Sequence, residues 1–284
     1  MTPPPKPLRD ISATGRSLQS LWNHFLVERE LAAQLLQSPR SRRSELFAAL
    51  YAELFRRVTD HPRLVRRESA EAAQRAVAAR LALLDGLLGP DCVMVEVAPG
   101  DCTAACAAAL QAGRVIGLDI SDQRSAGLVC PDNFELRVFD GYEVDLPDGE
   151  ADVAFSHQFL EHLHPEDVEG HMALVARLLR EGGCYVLDTP HAFSGPHDVS
   201  RYFSEVPCGF HFHEWTYREL WELGQRHGFG AMSIYRCGRR WDSALALGLT
   251  LALERCVGWL PTALRWRLSQ RLFGSVTVCL WRTA

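Results

Sequence analysis

The sequence predicts an α/β fold built on a mostly parallel sheet, and three observations carry this prediction. The apolar run at residues 92–98 contains Glu96 and leads into a turn of small residues that ends at Gly100. An alanine-rich helical stretch follows, and then a second apolar run that holds Asp119. From residue 92 onward, apolar runs alternate with helical patterns, as in a chain of βα units. The first unit favours nucleoside binding, because its turn brings backbone close to a ligand and the second acid can accept hydrogen bonds from ribose hydroxyls. Any parallel α/β fold would also fit this segment.

The predicted α/β domain spans residues 90–284. Its strands are expected at residues 92–98, 115–119, 134–139, 151–156, 184–188, 232–236 and 275–281. Its helices are expected at residues 103–112, 165–183 and 216–228, with a helical insertion at 243–272. Pro165 suits a helix start, and the glycine pair at 182–183 suits the end of that helix. Thr216 and Glu219 have the spacing of a capping box.

The first third of the chain is predicted to be a helical extension. Residues 1–16 are expected to form a disordered tail, and residues 17–89 carry apolar side chains at the three- and four-residue spacing of helices. Ser69 suits the N-cap of the last of these helices. The extension is either a cover for a site or a simple packing layer.

Composition limits the classes of partner and the location. The 284 residues carry a formal net charge of −5, and residues 91–210 hold 21 acidic and 6 basic side chains. This acidic segment is a poor surface for nucleic acid, so no nucleic-acid partner is expected. Nine cysteines without a Cys-x-x-Cys pair favour a reducing compartment. The N-terminus has no apolar signal core, and the longest apolar run, residues 244–253, is too short to span a bilayer. We therefore expect a cytoplasmic protein without a transmembrane segment.

The scarcity of lysine excludes several chemistries. Lys6 is the only lysine of the chain, and it lies in a proline-rich stretch. A phosphate-binding P-loop, a pyridoxal Schiff base and the Tyr-x-x-x-Lys pair of short-chain dehydrogenases all need an internal lysine. The sequence therefore predicts none of these three.

A third acid, Asp140, follows the third predicted strand and precedes Gly141. Ligands of open α/β sheets bind at the carboxyl ends of the strands, where Glu96, Asp119 and Asp140 are all expected. Three neighbouring carboxylates favour a cationic adenosyl ligand over a dinucleotide, because a pyrophosphate would be repelled.

These segments, with residues 146–156 and 160–163, resemble the class I S-adenosylmethionine-dependent methyltransferases of the small bacterial kind. The resemblance covers residues 90–236 and extends to the final strand. It implies a Rossmann-like sheet of seven strands in the order 3-2-1-4-5-7-6, with helices on both faces and the last strand antiparallel. It also implies S-adenosylmethionine as the cofactor.

The resemblance also assigns roles to residues. Glu96 and the turn from Ala98 to Gly100 would hold the methionine portion of the cofactor. Asp119, followed by Ile120, would hold the ribose, and Asp140 with Gly141 would hold the adenine. Ser156 and His157 would lie at the edge of the methyl-transfer cleft. Ala98 replaces the usual first glycine of the turn, and it would reduce cofactor affinity if that position needs a positive φ.

Histidines cluster after the fourth and fifth predicted strands, where a substrate would lie. A neutral histidine could take a proton from a substrate hydroxyl, and our candidates are His157 and His197, with His191 third. Asp198 could orient a neighbouring imidazole. The alternative is a structural role, in which individual histidines cap helices or are buried and hydrogen-bonded. Glu161, His162 and His164 lie close together, but without obvious further ligands they indicate no metal site.

The sequence therefore predicts an S-adenosylmethionine-dependent enzyme that methylates a small molecule, first of all at oxygen, with carbon and nitrogen as other acceptor atoms. The N-terminal helices and the insertion at 243–272 are expected to shape the acceptor pocket. A non-catalytic or regulatory protein on the same scaffold is the alternative, motivated by Ala98. A dinucleotide-dependent oxidoreductase is disfavoured by the missing glycines and lysine. The sequence does not determine the oligomeric state.

Overall fold

The computed structural model of the chain describes residues 3–65 and 69–283. Its strands are β1 (Val93–Val97), β2 (Arg114–Asp119), β3 (Phe134–Val138), β4 (Ala151–His157), β5 (Leu179–Pro190), β6 (Phe229–Arg236), β7 (Arg239–Trp241) and β8 (Ser275–Arg282). Its α-helices are α1 (Leu18–Leu36), α2 (Arg43–Arg57), α3 (Pro62–Val65), α4 (Ala70–Leu83), α5 (Thr103–Ala109), α6 (Val168–Leu178), α7 (Tyr217–Arg226), α8 (Ala244–Gly258) and α9 (Thr262–Leu272).

The strands form one sheet in the order β3-β2-β1-β4-β5-β8-β6-β7. The first five are parallel to their neighbours, and β8 runs antiparallel between β5 and β6. The predicted order is therefore confirmed, with β8 in the place of the seventh strand. The predicted count of seven strands is wrong, because β7 adds an eighth at the edge. It pairs with β6 across a two-residue turn, in which Cys237 and Gly238 both have the positive φ that such hairpins require.

One predicted boundary is wrong for a local reason. Helix α6 ends at Leu178, where the backbone of Leu179 becomes extended, so the glycine pair at 182–183 lies inside β5 rather than at the end of the helix. A Cβ on Gly183 would lie 2.9 Å from the carbonyl oxygen of Asp152, which explains a glycine at this point of the strand. The predicted capping box of Thr216 and Glu219 is present at the start of α7.

Helices cover both faces of the sheet. The larger core lies between the sheet and helices α6, α7 and α8. On the other face, the alanines of α5 pack against larger strand side chains such as Phe155 and form a second core. The insertion consists of α8 and α9, and Ser243 caps the first of them by accepting a hydrogen bond from the Ala246 amide. No helix among the described residues is long and apolar enough to cross a membrane.

The N-terminal extension docks on the carboxyl edge of the sheet. Helices α1 and α2 enclose their own apolar cluster, and Phe210 from the loop before α7 inserts into it. The buried Arg43 pairs with Asp167 at 2.6 Å and also with Glu166, at the start of α6. Within the segment that we predict to be a disordered tail, Leu8 donates its amide to the Tyr202 carbonyl, and Arg9 bonds the Gly195 carbonyl at 2.7 Å. The extension therefore covers the loops that follow β4 and β5.

Candidate active site

Glu96 lies near the end of β1 and is the most deeply buried of the three acids predicted to hold the cofactor. Its side chain is 2 % exposed, and its Oε2 atom has no hydrogen-bond partner among the described residues. Burial raises the pKa of Glu96 to about 7. A buried carboxylate oxygen without a partner is costly unless a ligand supplies a donor or a positive charge.

The turn after Glu96 has the backbone of a ligand-binding loop. Ala98, Gly100 and Cys102 all have positive φ, at 55°, 57° and 60°. The chain reverses here from β1 into α5. No atom lies within 4 Å of the place that a Cβ on Gly100 would occupy, so the turn faces open space at that residue.

The other two predicted acids lie at the ends of the neighbouring strands. Asp119 accepts hydrogen bonds from the amides of Gly100, at 3.3 Å, and Ser121, at 3.2 Å, and so ties the end of β2 to the turn. Asp140 accepts from the two amides that follow Gly141, each at 2.8 Å. Gly141 has φ at 90°, and a Cβ there would lie 3.4 Å from the side chain of Ile120. Because β1, β2 and β3 are adjacent, their ends place these acids along one edge.

This edge fits S-adenosylmethionine. Glu96 offers an unpartnered buried carboxylate oxygen, Gly100 leaves open space at the turn, and Asp119 presents a second carboxylate at the next strand end. Carboxylates can accept from an ammonium group and from ribose hydroxyls, and they repel a pyrophosphate. The set therefore suits a cationic adenosyl ligand.

Ala98 has the positive φ considered for this position from the sequence, so its backbone is strained. We expect Ala98→Gly to raise the free energy of unfolding by up to about 1 kcal/mol, because the left-handed region costs an L-residue about 1–2 kcal/mol, while the extra freedom of glycine in the unfolded chain offsets part of that. Urea denaturation measures the change. Ala104→Gly, in the regular helix α5, is the matched control and should lower stability by about 1 kcal/mol. Equal losses in both variants would contradict strain at Ala98.

Ser156 and His157 point to opposite faces of β4. The Ser156 hydroxyl lies 2.7 Å from the Tyr185 hydroxyl, which is itself 2.9 Å from His171. The Ser156 side chain therefore lies in the core and not at the edge of the cleft. His157 lies on the same face as Glu96, and its Nδ1 atom is 3.0 Å from Asp188 Oδ2, within ion-pair distance but not aligned for a hydrogen bond. Burial works to raise the pKa of Asp188, but its interactions with His157 and Thr277 outweigh burial and lower it. The structure therefore pairs His157 with a buried carboxylate that can orient its ring.

A cavity of about 520 Å³ lies between the N-terminal helices and the loops after β4 and β5. Helices α1 and α2 contribute His24, Glu28 and Tyr51 to its wall, and the loops contribute His197 and His211. None of the described residues that line it comes from the insertion at 243–272. The N-terminal helices therefore shape this cavity as expected, whereas the insertion packs behind it, against β6 and α7.

Glu214 organises the histidines of the cavity. His197 Nδ1 lies 3.0 Å from one oxygen of Glu214, and His211 Nδ1 lies 2.9 Å from the other. Burial works to raise the pKa of Glu214, but these two hydrogen bonds outweigh it and lower the pKa to about 2. Asp198 does not orient an imidazole as we predicted, because its carboxylate accepts from the amide and hydroxyl of Ser200.

His191, the third candidate base, lies in the core instead of the cavity. It is 0 % exposed, its Nε2 atom is 2.8 Å from Glu254, and its Nδ1 atom accepts from the Phe193 amide. Both ring nitrogens are thus engaged in hydrogen bonds, so His191 is a buried structural histidine rather than a candidate base. Its partner Glu254 lies on α8 and also accepts from the first amides of α7.

Sequence reasoning missed Glu214, Glu28 and the role of His211. Glu28 accepts the Phe210 amide at 2.9 Å and pairs with His24, which joins α1 to the loop before α7. The only local signal was the alternation of histidines from 211 to 213 before an acid.

Comparisons with known proteins agree with this geometry. Residues 95–187 match the family model described as a methyltransferase domain. A Burkholderia thailandensis 1,6-didemethyltoxoflavin-N1-methyltransferase, solved with S-adenosylhomocysteine, is 17 % identical with a TM-score of 0.51, over 85 % of this chain and 87 % of that one. A chain of the complex between the Haloferax volcanii Trm112 methyltransferase activator and a methyltransferase is 16 % identical with a TM-score of 0.50, over 75 % and 94 % of the two chains. No curated protein sequence matches the chain. Residues 95–187 therefore match a methyltransferase domain, and the strand order and the row of acids are those that the resemblance to class I S-adenosylmethionine-dependent methyltransferases predicts.

Proposed function

We propose that the chain methylates a small molecule at oxygen and that the acceptor binds in the cavity beneath the N-terminal helices. The observation that carries this proposal is the histidine-lined cavity of about 520 Å³ at the carboxyl edge of the sheet. A volume of this size suits a small ligand rather than a polymer.

Glu96, Asp119 and Asp140, with the turn from Ala98 to Gly100, would hold the cofactor. When bound, S-adenosylmethionine supplies an electrophilic methyl group on a sulfonium sulfur. The chain itself aligns the acceptor oxygen with that carbon and excludes water.

His157, at the end of β4, is the base in this proposal. It does not line the cavity of about 520 Å³, so the hydroxyl of a bound acceptor must extend from the cavity toward the end of β4 to reach it. The Nδ1 atom of His157 lies 3.0 Å from the Asp188 carboxylate without an aligned hydrogen bond, and the nearby negative charge favours a proton on Nδ1 and a lone pair on Nε2. As the acceptor oxygen takes the methyl group that the cofactor would supply, leaving S-adenosylhomocysteine, the hydroxyl proton would pass to His157 Nε2. The methylated product and S-adenosylhomocysteine leave, and the proton returns to solvent.

His197 has a different role in this proposal. Its Nε2 atom lies 3.2 Å from the Ser194 hydroxyl, whose own proton points to the carbonyls of His191 and Gly274. With Glu214 at its other nitrogen, His197 has both ring nitrogens engaged in hydrogen bonds, so we assign it to positioning rather than to proton transfer. Arg63 and Arg201 also line the cavity, and among the described residues no carboxylate pairs with either. An acceptor that carries a carboxylate or phosphate beside its hydroxyl fits this wall.

The test is formation of S-adenosylhomocysteine by the full chain with a panel of small hydroxy acids and hydroxyl-bearing phosphates, with amines and neutral alcohols of similar size as comparison. We expect turnover with an anionic hydroxyl compound, and mass spectrometry should place the methyl group on oxygen. Turnover confined to amines would overturn the choice of oxygen. Cofactor binding without turnover on any of these compounds would favour the non-catalytic alternative, which Ala98 motivates.

Cofactor affinity should depend on pH through Glu96. The pKa of Glu96 is about 7 without a ligand, and a cationic ligand favours the ionised form, so binding releases a proton. Affinity should therefore rise as pH rises, by up to about tenfold per unit below pH 7, and level off above it. Calorimetric titration between pH 5.5 and about 8.5 measures this, and Glu96→Gln should flatten the profile. An unchanged profile in that variant would remove Glu96 from the cofactor site.

A further inference from the structure

Glu161, His162 and His211 form a compact cluster at the cavity, in which the two histidines line the wall and Glu161 is buried. One carboxylate oxygen and one nitrogen of each ring all lie within 4.8 Å of one another. Glu161 is 0 % exposed, and its Oε1 atom has no hydrogen-bond partner among the described residues. Both histidines line the cavity. A buried carboxylate oxygen is therefore left unsatisfied beside two imidazoles.

Each member of the cluster is held by its other polar atom. The Thr189 hydroxyl donates to Glu161 Oε2 at 2.9 Å. His162 Nδ1 lies 2.8 Å from the Phe210 carbonyl, and His211 Nδ1 lies 2.9 Å from Glu214. Carbonyls and carboxylates only accept, so both Nδ1 atoms carry protons. In the neutral form of each ring, the Nε2 atom then keeps its lone pair. Ligating histidines in metalloproteins are commonly fixed in this way by a carbonyl or carboxylate.

We propose that Nε2 of His162, Nε2 of His211 and a carboxylate oxygen of Glu161 bind one divalent first-row transition ion, with Zn²⁺ as the probe of choice. Two imidazoles and one carboxylate are an established ligand set for such ions, which leaves coordination positions open. The two histidines line the cavity, so the open positions would face it. The predicted absence of a metal site rested on a missing third ligand, and the fold supplies it as His211, from the loop before α7.

A second cluster in the same cavity lacks these properties. His24, Glu28 and His61 also have ligand atoms within 4.8 Å of one another. His24 Nδ1, however, faces the Arg16 guanidinium at 2.9 Å, which can only donate, so Nε2 carries the proton and bonds Glu28 at 2.8 Å. Both nitrogens of His24 are thus engaged, and a cation would be placed beside Arg16. This cluster is therefore a matched control.

An ion held by Glu161, His162 and His211 could take the hydroxyl oxygen of the acceptor and lower its pKa. This consequence rests on the proposed function, whereas ion binding does not. Binding is therefore measured without cofactor or acceptor, so that its failure and the failure of the proposed methyl transfer are distinguishable.

The experiment uses the full chain after dialysis against a chelator. We expect calorimetric titration with Zn²⁺ to show one ion per chain, and Co²⁺ to give a visible spectrum without the charge-transfer band of a thiolate ligand. Glu161→Gln and His211→Ala should each weaken Zn²⁺ binding by at least about 100-fold, since even the loss of an outer partner costs 10–100-fold. His24→Ala should leave Zn²⁺ affinity unchanged.

Glu161→Gln keeps the shape of the side chain and is expected to fold. It therefore still tests the proposal if His211→Ala does not fold. Zn²⁺ should also raise the thermal midpoint of the unmodified chain and leave that of Glu161→Gln unmoved. Absence of Zn²⁺ binding, a thiolate band with Co²⁺, or an equal loss in His24→Ala would each overturn the proposal.

Discussion

Replacing His157 with asparagine is expected to lower kcat by about 10²- to 10⁴-fold, the usual contribution of a general base. The cofactor affinity should stay unchanged, because the acids that we assign to the cofactor lie on β1, β2 and the loop after β3. Asparagine keeps a polar side chain near Asp188 but has no nitrogen that can take a proton. Steady-state release of S-adenosylhomocysteine with a saturating acceptor, together with calorimetric cofactor binding, measures both quantities.

His213→Asn is the matched control for this experiment. Its side chain is 44 % exposed and pairs with Glu219 at the start of α7, away from Asp188. Its kcat should remain that of the unmodified chain. Asp188→Asn should fall between the two, because the His157 ring would lose its orienting carboxylate but keep its lone pair. A His157→Asn variant with undiminished kcat would transfer the role of base to another residue.

The position of the three acids at one edge of the sheet could be predicted from the sequence because each part of that edge is local. Glu96, Asp119 and Asp140 each stand at the end of an apolar run, and parallel strands bring such ends to one edge. The capping box of α7 is also encoded within four residues. Periodicity and end signals therefore suffice for this part of the fold.

The acceptor cavity could not be predicted in the same way, because its pairs are distant in the chain. Glu28 on α1 meets the Phe210 amide, and His191 meets Glu254 on the insertion. Whether a histidine faces a cavity or the core depends on such partners, and the sequence offers several for each. Ser156 illustrates a second difficulty. Successive side chains of a strand point to opposite faces, so an error of one residue in the predicted alternation moves a side chain from the cleft to the core.

Gly195→Ala is expected to lower the free energy of unfolding by about 2–4 kcal/mol, through overpacking and the disruption of a buried charged network. The backbone of Gly195 is in a region open to alanine, with φ at −78°, so the effect is steric. A Cβ at this position would lie 1.7 Å from Glu214 Oε2, and the carboxylate must move. His197 and His211 would then lose the partner that holds both rings, and acceptor turnover should fall together with stability. Urea denaturation and turnover assays measure the two effects.

Gly170→Ala separates this steric effect from a general response to an added methyl group. Gly170 lies in α6, and a Cβ there would meet no atom within 4 Å, so alanine should raise stability by about 0.5–1 kcal/mol through its helix propensity. The opposite signs of the two glycine substitutions follow from what surrounds each Cβ. A stable Gly195→Ala variant with normal turnover would mean that Glu214 can move without disturbing the two histidines, and that its position does not determine theirs.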